Sequence, residues 1–150
     1  MSAPGPGLTA ICATACRKSD MVLAQAKDEA NAYLEEVRSG ARSNDKECVT
    51  CGRGPPLEDN HLASGRHGDL TVPMCRVECH PRFTEGQDLW DARWQGEERS
   101  PELDESLLLR GLVDLLRIRA DHVPVARSGA YLALSESLRE QYAFVARRTK

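Results

Sequence analysis

Aromatic residues make up only 5% of this 150-residue chain, so any core has to be built mainly from Leu, Val and Ala. Long apolar runs are missing as well. No stretch approaches the ~18 uninterrupted apolar residues of a membrane-spanning helix, and the run Leu107 to Leu109 is cut by Arg110 and Asp114. Met1 to Gly7 hold Pro and Gly but no Lys or Arg ahead of Leu8 to Cys16. The basic start of a secretory signal is therefore missing, and a cytoplasmic protein with no membrane partner is expected. A surplus of positive charge is also lacking: the formal net charge is -3, which excludes a protein that coats DNA by its field alone. What is present, 41% hydrophobic and 29% charged residues, excludes a wholly disordered chain and leaves room for one domain with helical extensions.

The ends of the chain read as helices. Residues 1–18, with Pro4, Gly5, Pro6 and Gly7, are expected to form a flexible terminus. Ser19 is placed to cap a helix within residues 19–41, in which Val22, Ala26, Ala30, Tyr33 and Val37 recur at intervals of three and four until Gly40 ends it. From residue 100 the pattern is helical again. Ser100 followed by Pro101 and Glu102 makes a helix start, and Leu103, Leu107, Val113 and Leu116 continue it to about Ala120. Beyond Pro124, Ser128 can cap a last helix with Tyr131, Leu134, Leu138, Tyr142 and Val145 along one stripe. The span 100–150 thus predicts a helical hairpin, and the terminal helices offer a surface for a second copy or a protein partner.

Residues 42–99 differ. Gly, Pro, Cys and His concentrate there, helical periodicity stops, and short extended stretches near Leu57–Leu62 and Leu70–Met74 flank a loop containing Gly65 and Gly68. This predicts a hairpin followed by a helix from about Cys75. The six cysteines form three close pairs: Cys12 with Cys16, Cys48 with Cys51, and Cys75 with Cys79. Close pairs in a cytoplasmic chain point to metal before disulfide. Cys48-Val-Thr-Cys51-Gly52 makes a turn that directs two thiolates inward, and Cys75 and Cys79, at the start of a helix, can complete a tetrahedral structural Zn²⁺ site. Buried free thiols are the plain alternative. The second pair has three residues between its cysteines where two are usual, so His80 rivals Cys79 as fourth ligand. Cys12 and Cys16, without a partner pair, read as incidental.

Between and after those pairs lie Leu57-Glu58-Asp59-Asn60-His61-Leu62, Asp69-Leu70-Thr71-Val72-Pro73-Met74-Cys75, and Cys79-His80. In this order the segment 47–90 resembles the zinc-knuckle HNH endonucleases, a treble-clef-like type. The resemblance implies an α+β chain whose ββα-metal module grips one divalent cation (Mg²⁺, Mn²⁺, Ni²⁺ or Zn²⁺) against a scissile phosphate. By position, His61 matches the general base that activates water, a task that suits imidazole. Asn60 and His80 match the ligands of the catalytic cation, and Asp69 matches the loop residue that braces the hairpin. The metal would stabilise charge on the departing oxygen. Asn60 is a weaker ligand than the usual His or Asp, which raises the requirement for added metal.

The implied partner is nucleic acid, DNA in the first instance, with Arg66, Arg76 and Arg82 as phosphate contacts. Glu78, Glu85, Asp88 and Asp91 share that region, so it is not a basic patch. Trp90 and Trp94 read as helix anchors rather than base-stacking platforms, His67 as a solvated loop residue, and His122 as structural. The reading from another class is a catalytically degenerate zinc-binding module that acts on protein or nucleic acid through its helices.

Overall fold

The computed structural model describes residues 7–65, 67–90 and 100–148. It is a small α+β protein, with four helices and one two-stranded antiparallel sheet among the described residues. Arg66, Trp94, residues 1–6 and the side chains of Cys12 and Val145 lie outside the described part.

Helix α1 spans Gly7–Arg38. It starts earlier than the Ser19 cap predicts: Leu8 to Cys16, with Ala10, Ala13 and Ala15 and no Gly or Pro, propagates a helix well enough to pass through Ser19. Its C-terminal half buries Ala26, Ala30, Tyr33, Leu34 and Val37, whereas Met21, Val22 and Leu23 are exposed. The apolar stripe therefore meets the body only from Ala26 onward. Gly40, with φ of +78°, then turns the chain in a left-handed conformation that glycine adopts without strain.

Strands β1 (Leu57–His61) and β2 (Thr71–Cys75) pair antiparallel, with Leu57 opposite Cys75 and His61 opposite Thr71. Pro73 is tolerated because the sheet has only two strands, and its carbonyl accepts the Val49 N–H at 2.8 Å, which ties the cysteine turn to β2. Helix α2 spans Cys79–Asp88, later than the expected start at Cys75. Cys75 is still a strand residue, and residues 76–78 make the turn.

Helices α3 (Pro101–His122) and α4 (Val125–Arg148) form the expected antiparallel hairpin. The Ser100 hydroxyl accepts the Leu103 N–H at 3.1 Å with Pro101 in the first turn, as the sequence predicts. α4 begins directly after Pro124 rather than at Ser128. α3 is the spine: Leu109, Leu112, Val113, Leu115, Leu116 and Ile118 are buried in one cluster with Val72, Met74, Phe83 and the buried residues of α1. At Gly111 it approaches the backbone of Leu62 so closely that a Cβ would sit 1.9 Å from the Leu62 carbonyl oxygen. Trp90, 6% exposed, donates to the Asp114 carboxylate at 2.9 Å and anchors the end of α2, the role expected of it. Among the described residues no helix is long and apolar enough to cross a membrane.

Candidate metal centre and the hairpin face beside it

Cys48, Cys51, Cys75 and Cys79 bring their sulfurs within 4.8 Å of one another. A tetrahedral zinc with arms of about 2.3 Å has sulfur–sulfur edges of about 3.8 Å, and Cys51 Sγ to Cys75 Sγ is 3.8 Å. The four thiols fit such an ion, and the cluster can hold a structural metal such as zinc.

Local backbone chemistry explains how the cluster forms. In the Cys48–Gly52 turn the Gly52 N–H donates to the Cys48 carbonyl at 2.9 Å and the Cys48 N–H to the Arg53 carbonyl at 2.8 Å. Gly52 takes a φ of +74°, which curls both side chains to one side. At the other pair, Glu78 provides no side-chain cap for α2. The Cys79 N–H donates instead to Cys75 Sγ at 3.3 Å, so a ligand sulfur takes the place of a capping oxygen. The three intervening residues are thus accommodated as a turn, and Cys79, fully buried, belongs to the cluster.

The sulfurs differ in acidity. Burial alone raises a thiol, but at Cys48 the Thr50 hydroxyl 3.2 Å from Sγ, with the amides of Cys51, Cys75 and Thr50, outweighs it and brings the group down to about 6. Burial pushes Cys51 and Cys79 up, and the Cys48 sulfur adds to the shift at both. The pocket accepts one thiolate readily and resists the next ones; a divalent cation removes that resistance, because a coordinated thiol is deprotonated outright.

The residues outside the cluster are as specific as the ligands. The Tyr33 hydroxyl donates to the Val49 carbonyl at 2.8 Å, and Arg119 donates to the Thr50 carbonyl at 2.7 Å. The Arg119 guanidinium also stacks on the rings of Tyr33 and Tyr131, at 5.2 and 5.9 Å. Burial raises the Tyr33 phenol, against the pull of Arg119 and Arg42, so it stays protonated and a donor. Tyr33→Phe leaves the Val49 carbonyl without its partner. It should cost about 1–2 kcal/mol, measured as a lower urea midpoint with an unchanged slope.

His122 Nε2 lies 3.8 Å from Cys79 Sγ and 3.6 Å from Glu78 Oε1, at the edge of the cluster and in keeping with a structural role. Sequence reasoning had no signal for that closeness, because 43 residues separate His122 from Cys79.

On the hairpin, side chains alternate as a strand requires. Asn60 is buried and its Nδ2 has no partner. His61 is exposed; its Nδ1 lies 3.2 Å from the Gly68 carbonyl oxygen, and its own carbonyl accepts from Gln87 of α2 at 2.9 Å. A carbonyl can only accept, so Nδ1 carries a proton, and in the neutral ring the lone pair is then on Nε2. Asp69 is exposed on the loop one residue further on.

His80 meets Glu58: Nε2 to Oε2 is 3.3 Å. Glu58 Oε1 in turn accepts from Arg76 at 2.6 Å. Arg82 is paired with Asp121 of α3. The two described arginines expected to contact phosphate are thus each held by a carboxylate. His67 is not solvated as the sequence suggests. It is 2% exposed and its Nδ1 lies 2.9 Å from Asp104 Oδ1, a pairing across 37 residues that loop composition does not reveal.

Comparison of the chain with protein-family models, with curated proteins and with solved structures finds no match.

Proposed function

We propose that this chain is an HNH-like, metal-dependent endonuclease that hydrolyses phosphodiester bonds, DNA being the expected substrate. In this reading Cys48, Cys51, Cys75 and Cys79 hold a structural zinc that fixes a ββα unit of β1, β2 and α2. The observation that carries the reading is the contact of His61 Nδ1 with the Gly68 carbonyl at 3.2 Å. In a neutral imidazole whose Nδ1–H is bonded to a backbone oxygen, the exposed Nε2 is the nitrogen that can take a proton from water. The order of motifs in the sequence supports it as well, with Asp69 beside Gly68 on the bracing loop.

For the catalytic cation the chain offers oxygen and imidazole donors, which suit Mg²⁺ or Mn²⁺. His80 and Asn60 are the donors the resemblance assigns. Asn60 Nδ2 is buried without a hydrogen bond; turning the amide over would place an oxygen, which is a metal donor, at that position. Glu58, in contact with His80, adds a carboxylate. Such an ion supplies positive charge to the phosphate and the departing oxygen. Arg76 and Arg82 reach phosphate by exchanging their carboxylate partners for it.

The test is nicking of supercoiled plasmid by zinc-loaded protein with added Mg²⁺, Mn²⁺ or Ni²⁺, beside His61→Ala prepared identically. The wild type should nick, and the variant should lose about 10²- to 10⁴-fold in rate. If both proteins hold zinc and neither nicks, the reading fails. The ion pair of Glu58 with Arg76 at 2.6 Å favours the second reading in that case, a noncatalytic zinc-binding interaction module, since it already neutralises the carboxylate beside His80.

A further inference from the structure

We infer that the buried pair of His67 and Asp104 is a positioning device for His61, through which α3 sets the protonation pattern of the proposed base. The inference deepens the endonuclease reading and rests on it for its meaning, but the geometry stands on its own.

Nine residues connect β1 to β2, a length at which hairpin loops are ordinarily mobile. Here the loop is fixed at three points. The Leu62 N–H donates to the Leu70 carbonyl at 3.1 Å and closes the neck. Gly68 lies against Ala63, close enough that a Cβ would come within 3.2 Å of the Ala63 Cβ, and Ala63 is buried with Trp90, Leu103 and Leu107. The third point is polar. His67 follows a turn in which its N–H donates to the Ser64 carbonyl at 3.2 Å, with Ser64 at a φ of 66°, and it places Nδ1 2.9 Å from Asp104 Oδ1 in the first turn of α3. A carboxylate accepts, so His67 Nδ1 is the donor. Burying this ring also leaves its Nε2 without a partner. A buried polar atom left unmatched costs stability, so the placement of this ring calls for a reason.

What it holds is the next residue. Gly68 follows His67 directly, and its carbonyl oxygen is the one that faces His61 Nδ1 at 3.2 Å. A free imidazole in water prefers its proton on Nε2; the Nδ1–H form needs an acceptor in a set place. The line Asp104, His67, Gly68, His61 therefore selects the tautomer in which Nε2 of His61 is a base. His67 and Asp104 touch no reacting atom in this scheme and act only through the Gly68 carbonyl.

The experiment reads the His61 tautomer directly, by ¹⁵N chemical shifts and long-range ¹H–¹⁵N correlations of the zinc-loaded protein at a pH where the ring is neutral. The wild type should show His61 predominantly as Nδ1–H. Asp104→Ala should shift it predominantly to Nε2–H with zinc still bound, whereas His67→Asn, whose amide places an N–H close to the original Nδ1, should keep the wild-type pattern. Plasmid nicking by Asp104→Ala should fall by about tenfold or more. An Nε2–H ring in the wild type overturns the inference at once, as does a ring unmoved by Asp104→Ala. Loss of zinc from both variants also overturns it, since the pair would then be an anchor of the fold rather than of one carbonyl. If the tautomer responds but no preparation nicks, this inference stands and the endonuclease reading fails. If nicking needs His61 but the tautomer does not respond, the reverse holds.

Discussion

Cys75→Ser should strip the protein of its metal and take the fold of residues 48–88 with it. Cys75 has three duties at once: it is the last residue of β2, paired with Leu57; its sulfur lies 3.8 Å from that of Cys51; and it accepts the Cys79 N–H that starts α2. A serine oxygen is a poor substitute for a thiolate toward zinc, and its shorter bond moves the donor away from the other three. Structural zinc sites of this type supply on the order of 10 kcal/mol of apparent binding energy, comparable to the whole stability of a domain this size. Elemental analysis should give about one zinc per wild-type chain and essentially none for Cys75→Ser, with loss of the cooperative melting transition. Cys16→Ser, which alters an exposed residue of α1, should keep the metal and melt like the wild type. One zinc retained per Cys75→Ser chain would remove the four-cysteine centre from consideration.

The second large effect is Gly111→Ala. In an exposed helix interior this change stabilises by up to about 1 kcal/mol, because alanine has less backbone entropy to lose. At Gly111 the new Cβ would lie 1.9 Å from the Leu62 carbonyl oxygen and 2.7 Å from its carbon. Neither atom belongs to a flexible side chain, so α3 and the hairpin have to move apart, and with them the packing of Leu62, Leu112 and Val113, all at most 1% exposed. Overpacking of a rigid contact costs about 3 kcal/mol, which lowers the melting temperature by roughly 10 °C in a chain of this length. Gly129 on α4 has no atom within 4 Å of its would-be Cβ. Gly129→Ala should therefore raise the melting temperature slightly. Opposite signs for the same substitution on adjacent helices, read by calorimetry, test the close approach of α3 to Leu62, the first residue after β1.

Local signals carried much of this architecture. The spacing of Cys48, Cys51, Cys75 and Cys79 is a chemical pattern that survives any uncertainty in secondary structure. Ser100 and Pro101 marked a helix start because capping is decided within one turn. The strands came within a residue of their observed ends, since Gly and Pro punctuate them. What was hidden depends on chain segments meeting in space. Alternation along β1 put Glu58 and Asn60 on one face, yet only the turn at residues 76–78 decides that His80 meets Glu58. His67 in a Gly-containing loop looks solvated until α3 brings Asp104 to it. Ser19 looks like a cap because its residue type favours one, but a helix already under way through residues 8–16 passes over it. The exposure of Val22 has the same kind of cause: its periodicity is correct, but the body does not extend that far along α1.

The grip of Tyr33 and Arg119 on the cysteine turn also has a consequence for biosynthesis. A chain made from its N-terminus offers Tyr33 first, then all four cysteines, and Arg119 only after forty further residues beyond Cys79. The partner of the Val49 carbonyl is therefore made before the cysteines, whereas the Thr50 carbonyl has to wait for α3. A metal taken up in that interval would be held by a turn secured only from the α1 side. A metal loaded at that stage would thus be bound before the last contact to its turn, the one from Arg119 to Thr50, can form.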